Sequence, residues 1–485
     1  MKILFIYSLD EIDSVLKPLP AWNNVPLGIS YLSSMLKTQG HNTLLIVLGS
    51  NKIARSQQLV NSTMKKSEPD IVCFTAVASQ YQFIKNMAAY IKNKWPHKLL
   101  IIGGTHATLN PDEVIKGDFN ALCIGEGEYP LTELCNQLEH NGIIQSIPNI
   151  WIKRNGGTIE KNPTRPFLQN LDILPFPERE IWKPWMSKEA YKTQWSVLLG
   201  RGCVYNCSYC SNHALRKIAA GNYVRMRSPN NIIQEISSLH ETFPESKKIF
   251  FEVEAICLDK EWTFGFCKQL QFYNSTINNY IAYACNFRIS PQSIDEKLFA
   301  AMKSANIQTI NIGLESGSER VRQEVLKRNY SNEDFLSVVS LARKFSIKIN
   351  VFNMIGIPGE TFNEYLKTVF LNRNAQPDDH YTGIFFPYPG TEIYNICIEQ
   401  KFISKYISTK MERKQSVLNL PGFTKRQIQS AYTWFNYRVY RGHRSLLKLL
   451  IQLIIIKLRS RSSTNYLFHK LSRLLYPIRN RLALK

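Results

Sequence analysis

Two consecutive α/β units, an open parallel sheet and then a partial barrel, are what this sequence predicts, and three observations predict them. Short apolar runs alternate with helix-patterned segments twice along the chain, over residues 1 to about 145 and again over about 193 to 395. Between these stretches Pro163, Pro166, Pro175, Pro177 and Pro184 interrupt any regular element and mark a connector. Towards the end the alternation stops and the charge changes. From Lys401 onward 19 Lys/Arg stand against one acid, Glu412, whereas the first 400 residues carry 41 basic and 37 acidic side chains. The expected organisation is a sheet domain over 1–150, a linker over 151–192, a six-unit barrel over 193–398 and a basic, mostly helical region over 399–485.

In the first unit, residues 2–7, 42–48, 70–75, 98–102 and 121–124 are apolar and short, as buried strands are. Residues 27–38 have helical spacing and stop at Gly40; residues 83–94 do the same and stop at Pro96. The fourth strand runs into Gly103-Gly104 and the fifth into Gly125-Glu126-Gly127-Glu128. Ligands of open α/β sheets bind beyond the carboxyl ends of the strands, and glycine there lets a backbone come close to a ligand. Neither turn is G-x-G-x-x-G, so a dinucleotide site is not indicated. Asn155-Gly156-Gly157 predicts a hairpin turn.

In the second unit the strand candidates are 195–199, 249–253, 280–285, 309–314, 347–355 and 381–386, with helix patterns at 231–240, 261–272, 294–303, 332–345 and 361–372. Cys203, Cys207 and Cys210 follow the first of these strands with the spacing C-x3-C-x2-C. A structural zinc site needs four ligands, usually as two close pairs. Three thiolates on one loop suit a four-iron cluster with one iron left open. In barrels the active site gathers at the carboxyl ends of the strands, which is where this loop falls.

The cysteine loop, with Tyr209 just before its last cysteine, resembles that of the radical S-adenosylmethionine (radical SAM) enzymes. Gly313-Leu314-Glu315-Ser316-Gly317 and Gly356-Ile357-Pro358-Gly359-Glu360 are similar to later pieces of the same core, in the same order. In that family SAM chelates the open iron of a 4Fe-4S cluster, and one electron cleaves it to a 5'-deoxyadenosyl radical. The resemblance implies that Tyr209, Glu254, Arg288 and Glu315 bind this cofactor, with Asn286 and Asn353 also at strand ends. A zwitterionic ligand needs a cation for its carboxylate and acceptors for its ammonium and hydroxyls. The first unit resembles the Rossmann-like cobalamin-binding domain that precedes many such cores. The matching pieces are Pro26-Leu27-Gly28, Pro69-Asp70-Ile71-Val72, Gly103-Gly104-Thr105-His106 and Gly125-Glu126-Gly127-Glu128. Gly103, Gly104, His106 and Glu126 are thereby expected at cobalamin. No histidine of the first unit follows an aspartate by two, so the cobalamin is expected without a histidine lower ligand.

The resemblance therefore implies a cobalamin-dependent radical SAM enzyme that methylates an unactivated carbon. Ring closure or rearrangement on the same architecture stays open, and so does RNA modification of the methylthiotransferase type, which would use a second cluster on N-terminal cysteines. A cobalamin sensor with a vestigial barrel is the non-enzymatic alternative. The expected partners are a small-molecule or lipid substrate and an electron donor such as flavodoxin or ferredoxin. The basic region predicts contact with an anionic surface, a membrane ahead of nucleic acid. Residues 446–458 are apolar but carry Lys448, Gln452 and Lys457, and Leu467, Leu471, Leu474, Leu475, Ile478 and Leu482 form a second stripe. Basic amphipathic helices lie at membrane surfaces; the alternative is that the stripes pack on the barrel. No apolar run is long enough to span a bilayer, and residues 1–7 read as a strand rather than a secretory leader. A reducing cytoplasm, with a peripheral position at the inner membrane face, is the expected location. Cys73, Cys123, Cys135, Cys257, Cys267 and Cys397 read as core residues, and Cys285 as a candidate for substrate-side chemistry.

Overall fold

The computed structural model describes residues 1–464 except 11, 13–16, 20, 22–24, 279, 405, 406, 410, 411 and 461–463. The second tail stripe, 467–482, lies outside the described residues. Strands β1 (Lys2–Leu9), β2 (Asn42–Gly49), β3 (Ile71–Thr75), β4 (Leu99–Gly103) and β5 (Ala121–Cys123) form a parallel sheet in the order β2-β1-β3-β4-β5. Strands β6 (Ile150–Lys153) and β7 (Ile159–Lys161) extend it as an antiparallel hairpin, turning at Gly156 and Gly157 with φ of +86° and +84°. The sheet thus runs on to Lys161, and the hairpin expected in the linker belongs to the first unit.

Helices cover both faces of this sheet, and the strands are accordingly apolar throughout rather than alternating. Leu27–Thr38 and Glu128–Asn141 pack against Ile3, Phe5, Cys73 and Ile101; Ile53–Ser67 and Ala78–Lys94 pack against Leu4, Ile6 and Val72. The helix Ile53–Ser67 had no clear sequence signal because it buries only Ser56, Val60 and Met64, too sparse a stripe to show as periodicity.

The second unit is a six-stranded parallel sheet curled into a partial barrel. Its strands are β8 (Trp195–Leu198), β11 (Lys248–Glu252), β12 (Ala282–Phe287), β13 (Ile307–Glu315), β14 (Lys348–Ile355) and β15 (Asp379–Ile384), adjacent in chain order. At its rim β9 (Gly200–Arg201) pairs antiparallel with β10 (Arg225–Met226) and closes the base of the cysteine loop. Phe251, Tyr283, Cys285, Ile310 and Val351 point outward into the helix layer, and that core is continuous with the face of the first sheet. The linker is part of the seam. Trp182 is fully buried there, and its indole N–H donates to Ser30 Oγ at 2.8 Å. A buried tryptophan removes ~150–250 Å² from water, worth about 4–6 kcal/mol at ~25 cal/mol per Å².

The basic region packs on the barrel. In its helix Lys425–Tyr440, Ile428, Ala431, Phe435 and Val439 meet Ile355, Tyr365 and Ile384, and Leu449 of the helix Leu446–Arg459 joins the same core. Among the described residues no helix is long and apolar enough to cross a membrane. His380 on β15 ties the two parts together, with Nδ1 at 3.0 Å from Tyr440 Oη and its ring stacked on Tyr440. Burial and the nearby Arg444 charge push His380 from 6.5 down to about 4. Below about pH 6.5 the unfolded chain takes up this proton and the folded one does not, so stability falls with pH, by about 2 kcal/mol at pH 5. The urea midpoint should therefore drop between pH 7 and pH 5, and drop less in His380→Gln; the same drop in both proteins would contradict this account.

Candidate cluster and cofactor site

Cys203, Cys207 and Cys210 lie on one loop beyond β8, between β9 and β10. The loop starts at Gly202, whose φ is +88° and where a Cβ would collide with the Tyr223 carbonyl. Hydrogen bonds fasten the loop and the short helix after it to the rest of the rim: Ser208 N–H donates to Leu326 O at 3.3 Å, Ile393 N–H to Ser208 O at 3.1 Å, and Glu392 N–H to the His213 side chain at Nε2, 3.1 Å away. The Arg216 guanidinium donates to the Cys203 carbonyl. All three cysteines are free thiols, Cys207 buried and the other two half-buried. Burial pushes the Cys210 thiol up to about 11 and raises that of Cys203. Arg288 Nη1 donates to Cys207 Sγ at 3.3 Å and Asn212 Nδ2 to Cys210 Sγ at 3.5 Å. Such donors to sulfur set the potential of a bound cluster. Among the described residues no three His, Cys, Asp or Glu converge on a single metal ion. A cubane presents its irons at separate corners, so its ligands do not need to converge on one point.

The predicted rim residues gather around this loop in different states. Arg288 is buried and lies over the Tyr205 ring at 4.1 Å, and its Nε has no partner among the described residues. Glu254 is exposed, makes no ion pair among the described residues, and its charge acts on Cys203, Cys210 and Tyr223. Glu315 is buried in a triad. Tyr209 Oη donates to Glu315 Oε1 at 2.9 Å, and Arg328 Nη1 donates to Tyr209 Oη at 2.9 Å while standing 3.4 Å from Glu315. Glu315 has φ +63°, a left-handed conformation that costs a carboxylate residue of order 1–3 kcal/mol. Arg328, which sequence reasoning did not single out, also donates to Gly313 O at 2.6 Å and so fixes this strained corner.

The two asparagines part company. Asn286 faces the barrel interior in a ladder: Asn311 Nδ2 donates to it at 3.3 Å, and Asn350 Nδ2 donates to Asn311 at 3.0 Å. Asn353 is not at the rim; it is buried facing the helix Phe362–Ala375, paired with Asn372 at 2.8 Å. Cys285 is also core, fully buried against the helices, with burial holding its thiol far up, and it does not reach the barrel interior.

At the strand ends of the first unit, Gly104 has φ +92°, and a Cβ there would fall 2.9 Å from the Ala76 carbonyl. Gly103 ends β4 with no atom closer than 3.8 Å to where its Cβ would lie. His106 follows, buried and tilted on the Tyr81 ring with centroids 4.2 Å apart; burial lowers its pKa to about 4 and leaves it neutral. His106 Nε2, Tyr81 Oη and Ser8 Oγ are all buried without a hydrogen-bond partner among the described residues. Glu126 differs from expectation. Both of its oxygens are engaged, Oε1 by Arg201 at 2.9 Å and Oε2 by Arg225 at 3.0 Å and Leu168 N–H at 3.2 Å. Arg201 also binds Glu128 at 2.5 Å. The turn that was expected to face cobalamin is thus tied to the base of the cysteine loop. Beside it a cavity of about 370 Å³ opens, lined by Gly125, Tyr129, Arg165, Phe167 and Ile218.

The model of the B12 binding domain matches residues 23–135, spanning β2 to β5, and that of the radical SAM superfamily matches residues 197–371, from within β8 through the cysteine loop and on past β14 into the helix Phe362–Ala375. This chain is a radical SAM enzyme with a B12-binding domain. It is 27% identical to an uncharacterized methyltransferase of Pyrococcus horikoshii, over 90% of this chain and 93% of that protein. It is 21% identical to cytidylyl-2-hydroxyethylphosphonate methyltransferase of Streptomyces wedmorensis, over 82% of each. The radical SAM enzyme also shares its fold with two solved structures. OxsB, a cobalamin-dependent S-adenosylmethionine radical enzyme with aqua-cobalamin and S-adenosylmethionine bound, matches with a TM-score of 0.67 at 13% identity, over 98% of this chain and 75% of that one. The methyltransferase TsrM from Kitasatospora setae, with cobalamin and a 4Fe-4S cluster bound, matches with a TM-score of 0.63 at 16% identity, over 82% and 75%.

Proposed function

We propose that this protein is a cobalamin-dependent methyltransferase acting on an unactivated carbon of a small molecule. One observation carries the reading. Arg201, two residues before Cys203, reaches across to Glu126 and Glu128, so the cysteine loop and the ligand end of the first sheet face each other across one seam. Moving a methyl group from one cofactor to a carbon activated by another requires that juxtaposition.

The residues present fit the groups. Cys203, Cys207 and Cys210 would hold a 4Fe-4S cluster, and the unpaired Arg288 Nε and the free Glu254 carboxylate offer a cation and an acceptor to the zwitterionic end of SAM. Glu315, tied to Tyr209, would act by holding the loop. Ser8, Tyr81 and His106 leave orphaned polar atoms where β1, β3 and β4 end, beside the switch point between β1 and β3, which suits the amide-rich rim of cobalamin. A neutral His106 stacked on Tyr81 would serve as a hydrogen-bonding neighbour rather than a cobalt ligand. Bound together, these groups supply what side chains lack: one-electron cleavage of SAM and a carrier for a methyl group. The chain's own part would be to hold both groups, keep water out, and present the neutral asparagine floor of the barrel to the substrate. A flavodoxin- or ferredoxin-type donor would provide the electron.

The methylthiotransferase reading gains nothing from Cys73, Cys123 and Cys135. They lie near one another but inside the apolar core, where burial pushes the Cys123 and Cys135 thiols up to about 12. Protein purified without oxygen should carry about four irons per chain and close to one cobalamin, and methyl-labelled SAM should label that cobalamin. About eight irons would turn the assignment towards methylthiolation. One cluster with no cobalamin after reconstitution would remove methyl transfer.

A further inference from the structure

The helix Leu446–Arg459 packs on the helix Lys425–Tyr440 through Leu449 and a hydrogen bond from Asn436 Nδ2 to Gln452 Oε1 at 3.3 Å, and leaves an apolar face exposed. Leu446, Leu447, Leu450, Ile451 and Ile454 are each between 41% and 69% exposed. At ~100° per residue they span one side of the helix, opposite Leu449. Lys448 flanks this face and Lys457 lies in line with Leu450 and Ile454, one turn beyond its C-terminal end; both are exposed, and such long cationic stems run along an apolar surface and keep their charge in water. The exposed Arg441 and Arg444 precede the helix. From Arg413 to the end the chain carries 16 Lys/Arg and no Asp or Glu.

We infer that this face is a docking surface for an anionic lipid bilayer, on which the helix lies flat. Charge selects the occupant. A second copy of this chain would bring the same cationic surface against itself. The final residues, 465–485, carry Lys470, Arg473, Arg479, Arg481 and Lys485 and no acid, so they offer this cationic surface no counter-charge. An anionic bilayer is apolar inside and negative outside, which matches the face and its borders together. Length fixes the orientation. Fourteen residues extend about 21 Å, short of the ~30 Å hydrocarbon core, so the helix lies in the interface rather than across it. The barrel would then rest on the membrane by the side that carries β15. The inference stands apart from the methyltransferase assignment and does not depend on bound cofactors.

The test is co-sedimentation of the full chain with vesicles of phosphatidylcholine alone and of phosphatidylcholine with phosphatidylglycerol in equal parts, at low and high salt. The expected result is binding to the anionic vesicles only, reduced by high salt and reduced at least tenfold in the double substitution Leu447→Glu with Ile451→Glu. Both positions are solvent-facing, so the variant should keep the wild-type circular dichroism and its iron content. Equal binding by wild type and variant, or no binding by wild type, would overturn the proposal. A wild-type dimer in sedimentation velocity that the substitutions dissolve would assign the face to a second copy instead. Binding that appears only once residues 465–485 are deleted would show that the chain's own end occupies the face, and would equally overturn it.

Discussion

Replacing Cys207 with alanine should abolish 5'-deoxyadenosine formation from SAM, by at least about a thousandfold or ~4 kcal/mol of barrier, and strip most of the iron from protein purified without oxygen. A cluster that keeps one corner for SAM has only three protein ligands, so losing one opens a second iron to water and oxygen. Cys207 is the buried member of the three and accepts the Arg288 hydrogen bond, so alanine also leaves that guanidinium facing a void. Cys203→Ala and Cys210→Ala should fail in the same way. The informative controls are Cys267→Ala and Cys285→Ala. Both thiols are buried among helix and strand side chains, and their loss should leave iron content and SAM cleavage at the wild-type level. Deoxyadenosine production persisting in Cys207→Ala would separate the loop from the chemistry and sink the assignment.

What could be read from the sequence was what neighbouring residues decide. The helix Leu27–Thr38 was legible to the residue because Pro26 and Gly40 bracket a regular apolar period. The barrel strands were found because buried parallel strands are continuous apolar runs ending in polar or glycine turns. The three cysteines sit within eight residues, so their grouping needed no fold. The partners of those residues were not legible, because the fold alone brings them together. Arg201 meets Glu126 across 75 residues, Arg288 meets Cys207 across 81, and Arg328 meets Tyr209 across 119. No spacing rule reaches that far. Glu126 was therefore placed at a cofactor when its oxygens are spent on arginines of the barrel. Asn353 is a different case, since the signal was present. It lies two residues beyond Val351 and four beyond Ile349, on the face of β14 that points to the helices. Period two would have taken it out of the barrel interior.

Glu235→Ala should be the most destabilising single substitution outside the apolar core, at about 3–5 kcal/mol. Its carboxylate is only 2% exposed and binds two guanidiniums, Arg179 at 2.8 Å and Arg227, themselves 7% and 2% exposed. Without it, two positive charges stay buried with no counter-charge. The same arginines hold the strand below the cysteine loop, Arg179 donating to Ser196 O at 2.7 Å and Arg227 to Leu198 O at 2.8 Å. The triad joins the linker, β8 and the helix Pro229–Thr242, so its failure should spread along β8 to Gly202 and Cys203. Two readings follow from one variant: a lowered urea midpoint and a lower iron content at equal purity. Replacing all three residues together, with Met at 179 and 227 and Leu at 235, should recover part of the midpoint, since removing a buried ion triad whole costs far less than breaking it. The recovery cannot be complete, because the Ser196 and Leu198 carbonyls lose their donors. Glu235→Ala at the wild-type midpoint would mean that water reaches these arginines, and the cysteine loop would then owe its position to Arg201 and the Tyr209–Glu315–Arg328 triad instead.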